Sequence, residues 1–236
     1  MVETISDIGN FRDINEDYLG FTQHNDEKLY VIADGMGGHN AGEVASKLAV
    51  DTLINGFKND FIDEEDTIRS LIVAANEEIY NLSHIKEDYN GMGTTVTACI
   101  VKENEITIGN VGDSSLYIIK NNIIKKVTKD NSYVQELLDK GKITLKEAKN
   151  HPNKNLITRA LGTASSIQVD IYKLSADEIK YILLCTDGLS NEIDPFEMYE
   201  IINNNNTKEA CHLLVDKAKA NGGRDNISLI LVEGDE

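Results

Sequence analysis

The sequence predicts an α+β fold, in which antiparallel strands and paired helices occupy separate stretches of the chain. Two amphipathic helical patterns follow one another over 41–57 and 63–82, with apolar residues three and four positions apart. Runs rich in β-branched residues, separated by turn residues, then fill 94–127 and are typical of antiparallel strands. A second pair of helical patterns lies at 196–202 and 207–220, next to further strands. Paired helices beside blocks of strands favour sheets that are covered by helices.

The N-terminal part of the chain contains two short strands before the first helix pair. A polar stretch, Ser6–Asp17, leads into a strand at Tyr18–Phe21. The apolar run Leu29–Ala33 predicts a buried strand, and we expect it to end at Asp34-Gly35 in a glycine-rich turn. A carboxylate delivered to such a turn can bind a hard cation, although Asp-Gly is also common in turns that bind nothing.

The middle of the chain predicts further strands and one long helix. The runs within 94–127 predict an antiparallel meander, whose second strand leads into the Gly-Asp pair at 112–113. Ser132–Asn150 predicts a helix, which Pro152 stops. Because residues 130–162 interrupt the strand pattern, we expect a flap-like surface insertion there.

The C-terminal third again places carboxylates beside apolar strands. Lys180–Thr186 is a second buried run and is followed directly by Asp187. The last predicted strand, Ile227–Val232, begins two residues after Asp225. No linker rich in Pro, Ser or Gly and no internal repeat divides the sequence, so we expect 1–236 to form a single domain.

The composition excludes some classes of function. The 236 residues carry a formal charge of −17, which repels phosphate backbones and argues against nucleic acid as a partner, but attracts divalent cations. Cys99, Cys185 and Cys211 are scattered and odd in number, which favours reduced thiols over disulfides. The sequence shows no apolar signal segment and no run long enough to cross a bilayer, so we expect a cytoplasmic protein without membrane insertion.

Four aspartates share one setting in this pattern. Each lies at the end of an apolar strand or just before its start, next to Gly or Asn; they are Asp34, Asp113, Asp187 and Asp225. A sandwich of sheets would bring these strand ends together, and clustered carboxylates are the usual ligands of Mg²⁺ or Mn²⁺. Because four close carboxylates repel one another without cations, the sequence predicts a metal centre.

Seven short motifs, in order from Ser6 to Asn226, carry a resemblance to a known family. They read SDIGNFRDINED, DGMGGHNAGEVAS, GMGTT, GDS, HPNKNLITRALG, CTDGLS and GGRDN. In this order they resemble the metal-dependent, PPM-type (type 2C) protein serine/threonine phosphatases, above all the bacterial branch. The resemblance implies a four-layer α/β/β/α sandwich of two antiparallel sheets flanked by pairs of helices, with one phosphatase domain over 1–236.

The resemblance also implies a set of metal ligands. Asp34 would bridge two ions of Mn²⁺ or Mg²⁺, and the carbonyl of Gly35 would bind the second ion. Asp187 and Asp225 would hold the first ion. Asp113, together with Asp187, would hold a third and looser ion.

Three further residues would complete the site that the resemblance implies. Glu16 and Asp17 would hold water around the ions, and Arg12 would bind the substrate phosphate, which suits a guanidinium group. Two ions about 4 Å apart would activate a bridging water for in-line hydrolysis of phosphoserine and phosphothreonine. The expected partners are phosphorylated proteins and a cognate serine/threonine kinase that the phosphatase opposes.

Several positions depart from the family pattern or leave alternatives open. Met36 stands where eukaryotic members have a His proposed as general acid, and because Met cannot donate a proton the general acid stays open. His39, nearby, is most simply a turn or packing residue. Asn131 stands where bacterial relatives often have the His of an Asp-His-Ser triplet, so an imidazole role is in doubt. His151 and Arg159 match the family's flap segment, where structural contacts and substrate contacts are both plausible roles.

Three other functions compete with a metal-dependent phosphatase. A phosphatase-fold module that binds metal or a phosphoprotein without turnover is left open by Met36 and Asn131. A two-metal nuclease would use similar carboxylates, but the charge of −17 and the lack of a basic stripe count against it. A cysteine-based phosphatase has little support, because Cys185 lies in an apolar run and no phosphate-binding loop ending in Arg follows it.

Overall fold

Two antiparallel sheets pack against each other in this computed structural model, which describes residues 1–37, 41–57 and 63–234. The strands are β1 (Val2–Asp7), β2 (Asp17–His24), β3 (Glu27–Met36), β4 (Gly93–Thr94), β5 (Val96–Lys102), β6 (Glu105–Val111), β7 (Ser115–Lys120), β8 (Ile123–Lys126), β9 (Asp170–Ser175), β10 (Ile179–Cys185) and β11 (Ile227–Glu233). Sheet I has the order β1-β11-β10-β7-β8. Sheet II has the order β2-β3-β5-β6-β9, and β4 extends it by pairing with the end of β3.

Helices cover the outer face of each sheet. The helices are α1 (Ala41–Gly56), α2 (Glu64–Ile85), α3 (Tyr133–Asp139), α4 (Leu145–Lys149), α5 (Asp187–Ser190), α6 (Pro195–Asn203) and α7 (Thr207–Asn221). The pair α1 and α2 packs on sheet II, while α6 and α7 pack on sheet I. The predicted four-layer α/β/β/α sandwich is therefore confirmed. No helix within the described ranges is both long and apolar enough to cross a membrane.

The apolar core forms three layers, and strand β10 shows how one strand serves two of them. Ile182 and Leu184 point into the layer between the two sheets, where they meet apolar residues of sheet II such as Ile108. Leu183 and Cys185, on the opposite face, pack under α6 and α7. Because both faces are buried, the strand is apolar along most of its length rather than alternating, which explains the run recognised in the sequence.

The predicted meander over 94–127 is wrong in its topology. β5 and β6 pair in sheet II, whereas β7 and β8 pair in sheet I. The chain changes sheets at 112–114, where Gly112 adopts a φ of +106° that favours glycine. A hairpin pattern in the sequence indicates adjacent strands but does not reveal this change of sheet.

Three further expectations differ from the structure. The helix expected over Ser132–Asn150 is two short helices, α3 and α4, because Gly141 takes a φ of +63° and Thr144 caps a new helix. β3 does not end at Asp34 but continues to Met36, because β4 supplies hydrogen-bonding partners for its last residues. β1 was not expected, since the polar N-terminus has weak strand character and is held by pairing with β11.

Candidate metal centre

One edge of the sandwich brings the predicted carboxylates together. β2 begins where its neighbour β3 ends, so Asp17 lies directly across from Asp34 in the antiparallel register. In sheet I, Asp187 follows β10 and Asp225 precedes β11, and these two strands are also antiparallel neighbours. Asp113 lies in the connection from sheet II to sheet I. Strand ends from both sheets thus meet at this edge.

A cavity of about 240 Å³ opens at this edge. It contains seven of the eight residues that the sequence singled out: Arg12, Glu16, Asp34, Gly35, Asp113, Asp187 and Asp225. Asp17, the eighth, is only 6 % exposed and is hydrogen-bonded to Thr186 next to Asp187. A second cavity of about 700 Å³ adjoins the first, since Asp113 and Asp187 line both.

The backbone around Asp34 is held on both sides, which gives its carboxylate a defined position. The Asp34 N–H donates to Thr95 Oγ1 at 3.0 Å, and the Asp34 carbonyl accepts from the Thr94 hydroxyl at 2.9 Å and the Thr95 N–H at 2.8 Å. The Gly35 N–H donates to the carbonyl of Glu16 at 3.0 Å. These contacts fix the main chain at Asp34, whose side chain lines the cavity and lies within hydrogen-bond reach of Asp187.

Asp187 begins the short helix α5 directly after β10. Asn191 Nδ2 donates to Asp187 Oδ2 at 2.9 Å, but the buried Oδ1 has no hydrogen-bond partner among the described residues. The buried Oδ1 of Asp17 is likewise without one in the part of the chain that the structure describes. A buried carboxylate oxygen without a donor is costly, and a cation would remove that cost.

Arg12 and Asp225 form an ion pair at the mouth of the cavity. Arg12 Nη2 donates to Asp225 Oδ2 at 2.8 Å, and this contact raises the pKa of Arg12. The second oxygen of Asp225 accepts from the Asn226 N–H at 2.9 Å. The Arg12 side chain is 48 % exposed, and its guanidinium group carries further N–H donors besides the one that binds Asp225.

Burial and mutual repulsion raise the pKa values of the carboxyl groups in the cluster. Burial is the main cause of the raised pKa of Asp34, and the charges of Asp17 and Asp187 add to it. Burial and the charge of Asp187 likewise raise the pKa of Asp113. Burial raises the pKa of Asp187 to about 6, with the charge of Asp225 adding to the shift, and burial raises the pKa of Asp17 to about 7. Protons therefore occupy some of these oxygens at moderately low pH, where cations would compete with them.

The donor set fits divalent cations such as Mg²⁺ and Mn²⁺, which prefer oxygen ligands. Gly35 lets three chain segments lie close together beside the cavity. A Cβ at this position would collide with the carbonyl oxygens of Gly42 and Glu16, so only glycine fits there. Among the described residues, no three His, Cys, Asp or Glu side chains form a ready-made metal cage. A backbone carbonyl and water would have to complete the coordination of each ion.

Glu16 stands above the N-terminus of α1. Its carboxyl group accepts a hydrogen bond from the backbone of Gly42, and burial raises its pKa. Its N–H donates to Asn226 Oδ1 at 2.8 Å, which ties the loop before β2 to the start of β11. Glu16 and Arg12 therefore reach the cavity from the same loop.

Other residues singled out in the sequence have mixed outcomes. Met36 lines the cavity, whereas His39 lies outside the described residues. Arg159 forms an ion pair with Asp170 at 2.9 Å, so a structural contact is present there. His151 accepts from the Asn153 N–H at 3.1 Å, which is a local turn contact.

Several residues that build the site are not apparent from the sequence alone. Asn226 Nδ2 donates to the carbonyls of Ile8 and Ile14, each at 3.0 Å, and so shapes the loop that carries Arg12. Asn155 and Ile157 form part of the cavity wall from the 130–162 segment. The Asp-Asn pair at 225–226 was visible in the sequence, but contacts over more than 200 positions leave no local signal.

Known proteins resemble this chain over nearly all of its length. A family model described as Protein phosphatase 2C matches residues 12–216. The serine/threonine phosphatase stp of Listeria monocytogenes is 39 % identical over 237 residues, covering 98 % of this chain and 94 % of that protein.

Solved structures show the same likeness. The crystal structure of the serine/threonine phosphatase Stp1 from Staphylococcus aureus has a TM-score of 0.94 at 34 % identity and covers 100 % of this chain and 95 % of that one. The catalytic domain of the serine/threonine protein phosphatase PstP, solved in complex with 2 manganese ions, has a TM-score of 0.89 at 31 % identity and covers 99 % and 97 % of the two chains. The family resemblance drawn from the seven motifs is confirmed, and this chain belongs to the protein phosphatase 2C family.

Proposed function

We propose that this protein is a metal-dependent protein serine/threonine phosphatase that hydrolyses phosphoserine and phosphothreonine with two divalent ions. The observation that carries the proposal is the meeting of carboxylates from both sheets with Arg12 around one cavity. Relatives named serine/threonine phosphatases support the substrate class, and a manganese-bound neighbour supports the cofactor. The proposed ions are Mn²⁺ or Mg²⁺.

In this proposal four residues hold the two catalytic ions. Asp34 is close enough to feel the charges of the other aspartates in the cluster and would bind both ions, and the Gly35 carbonyl would bind the second ion. Asp187 and Asp225 would hold the first ion, and the buried Oδ1 of Asp187, which has no hydrogen-bond partner among the described residues, supports this role. Asp113 lines both cavities together with Asp187, and these two residues would hold a third, weaker ion. When bound, the ions lower the pKa of a water molecule and neutralise charge on the phosphoryl oxygens.

Arg12 binds the substrate phosphate. It stands at the mouth of the cavity, and its contact with Asp225 uses one nitrogen of the guanidinium group. The remaining donors match two phosphate oxygens in a paired arrangement and orient the phosphorus atom for in-line attack.

Glu16 and Asp17 accept hydrogen bonds from water around the ions. Glu16 lines the cavity, and the buried Oδ1 of Asp17 has no hydrogen-bond partner in the described part of the chain. Met36, on the cavity wall, has no acidic proton, so it cannot protonate the leaving oxygen.

The proposed substrates are phosphorylated proteins, with a serine/threonine kinase acting in the opposite direction. An open cavity mouth with an exposed guanidinium suits a phosphorylated side chain that projects from a protein surface. The three cysteines are buried free thiols, which supports a reducing compartment such as the cytoplasm.

Hydrolysis of a phosphothreonine peptide and of p-nitrophenyl phosphate tests the proposal directly. We expect turnover with Mn²⁺ and none with EDTA. Asp187→Asn removes a charged oxygen ligand, so kcat/KM should fall by more than about 100-fold. The matched control is Asp216→Asn, an exposed aspartate on α7, which should retain normal turnover.

Two results would contradict this assignment. If Asp187→Asn kept near-normal metal-dependent activity, the ligand assignment would be wrong. If the folded wild-type protein bound Mn²⁺ but hydrolysed no phosphoester, a binding module without turnover would replace the enzyme.

A further inference from the structure

Asn131 occupies a junction between the loop that carries Asp113 and the base of the 130–162 segment. It is 9 % exposed. Its N–H donates to the Gly112 carbonyl at 2.8 Å, and its Oδ1 accepts from the Gly112 N–H at 2.9 Å. Its Nδ2 donates to Asp170 Oδ2 at 2.8 Å. The backbone and side chain of Asn131 thus bind both polar groups of Gly112, and Asn110 Nδ2 also donates to the Gly112 carbonyl at 3.4 Å.

The same residue joins the two ends of the 130–162 segment. The Thr158 N–H donates to the Asn131 carbonyl at 2.7 Å, and the Tyr133 N–H donates to the Leu156 carbonyl at 2.8 Å. Arg159 reaches the other oxygen of Asp170 at 2.9 Å. A continuous set of contacts therefore runs from Arg159 through Asp170 and Asn131 to Gly112.

Gly112 determines where the next residue, Asp113, directs its carboxylate. A Cβ at Gly112 would collide with Thr95, and the φ of +106° is one that other residues rarely adopt. A turn held this closely has little freedom as long as both Gly112 hydrogen bonds are made. When the Gly112 N–H loses its acceptor, the turn is held only through the Gly112 carbonyl, and Asp113 gains freedom.

We propose that Asn131 is a positioning residue, which holds Asp113 in place to bind a divalent cation together with Asp187. This inference rests on the proposed function, in which Asp113 and Asp187 share the third ion. The position needs one acceptor towards Gly112 and one donor towards Asp170. An asparagine side chain supplies both, and so does a neutral histidine, whereas alanine supplies neither.

Exchange of the side chains of Asn131 and Asp170 gives a test that preserves net charge. In Asn131→Asp/Asp170→Asn, the new carboxylate accepts from Gly112 and from the new amide, and that amide's oxygen accepts from Arg159. Asn131→Ala removes both side-chain bonds. Ser132→Ala is the matched control, because the Ser132 hydroxyl caps α3 through the Gln135 N–H at 3.3 Å and does not touch Gly112.

The first readout is the affinity of metal-free protein for Mn²⁺. It is measured by titration calorimetry and by the EPR signal of free Mn²⁺. The second is hydrogen exchange at the Gly112 and Asp113 amides by NMR without metal. For Asn131→Ala we expect at least a 10-fold loss of affinity at the weakest Mn²⁺ site, unchanged tighter sites and faster exchange at both amides. In the exchanged pair and in Asn131→His, the affinity of the weakest Mn²⁺ site should stay within about 3-fold of the wild-type value. Ser132→Ala should lower only the melting temperature.

Three outcomes would overturn the inference: a wild-type protein with no weaker Mn²⁺ site, an Asn131→Ala variant that binds Mn²⁺ like Ser132→Ala, or a folded exchanged pair that does not recover. If Asn131→Ala does not fold, the exchanged pair still decides the question. Because these readouts do not use turnover, a protein that hydrolyses nothing would refute the proposed function without deciding this inference.

Discussion

Asp187 shows how one residue combines two demands. One carboxylate oxygen is held by Asn191, and the other is buried without a donor among the described residues. The first contact fixes the side chain, and the second oxygen carries the electrostatic cost of burial. A cation between Asp187 and Asp34 would remove this cost, which is why removal of the charge by Asp187→Asn should act on the metal rather than on the fold.

Arg12 provides the residue-scale prediction about substrate binding. We expect Arg12→Ala to raise KM for a phosphothreonine peptide by roughly 10-fold or more, with a smaller change in kcat, because a charge-assisted hydrogen bond to phosphate contributes about 1.5–3 kcal/mol. Steady-state kinetics in saturating Mn²⁺ measure the changes in KM and kcat separately.

Arg224→Ala is the matched control for Arg12→Ala. Arg224 is next to Asp225 in sequence but pairs with Glu192 and is 70 % exposed. The KM of the Arg224→Ala variant should stay within about 2-fold of the wild-type value. Equal effects of both variants would mean that general positive charge, not the position of Arg12, attracts the substrate.

At the scale of the elements, antiparallel neighbours explain why distant carboxylates meet. The start of β2 and the end of β3 share one edge, and so do the end of β10 and the start of β11. Each such pair places two aspartates at the same edge, although Asp187 and Asp225 are far apart in sequence. The helices outside the sheets contribute stability to this arrangement.

Helix α2 allows an element-scale prediction. Asp63 caps its N-terminus by accepting from the Asp66 N–H at 2.8 Å. Asp63→Ala should lower the free energy of unfolding by about 1 kcal/mol, because a backbone donor loses its partner and the helix dipole loses a favourable charge. Urea unfolding followed by circular dichroism measures the change.

Glu77→Ala, at an exposed position within the same helix, is the control and should change the free energy of unfolding by less than about 0.5 kcal/mol. Metal-dependent turnover should persist in both variants below the unfolding transition. A loss of turnover without a loss of stability in Asp63→Ala would mean that α2 has a direct part in the site.

At the scale of the whole molecule, the net charge of −17 and the carboxylate cluster act in the same direction. Both disfavour the compact state without cations, because negative charges are brought together on folding. Bound divalent ions relieve this repulsion and stabilise the folded state by mass action.

This repulsion predicts an unusual pH dependence for the metal-free protein. Burial raises the pKa of Asp17 to about 7 and that of Asp187 to about 6, so between pH 4 and 7 the folded state binds more protons than the unfolded state. The free energy of unfolding should therefore fall as pH rises from 6 to 8, by about 1 kcal/mol for one such group. Urea unfolding in EDTA at both pH values measures it.

A saturating divalent cation should reverse this trend, because the ion replaces the protons. Asp17→Asn, which no longer titrates, should show a smaller decrease between the two pH values than wild type. The prediction is contradicted if the free energy of unfolding in EDTA rises from pH 6 to pH 8 and Asp17→Asn shows the same pH dependence as wild type. Ionisation of the carboxylate cluster would then not destabilise the folded state.

The sequence by itself determined the fold class, the strands with two buried faces, the helix pairs and the aspartates beside strand ends. Hydrophobic period, turn residues and motif order are local properties, and they can be read without coordinates. For the same reason the family was visible in seven short motifs.

Only the tertiary structure decided which strands share a sheet, where the 130–162 segment breaks into two helices, and which residues support the site. The pairing of β1 with β11 and the contacts of Asn226 join positions more than 200 residues apart, and Asn131 contacts Gly112 and Asp170, which are 19 and 39 positions away. A single asparagine looks like any polar turn residue in the sequence. It becomes a structural element of the site only when folding places its one donor and one acceptor group against particular partners.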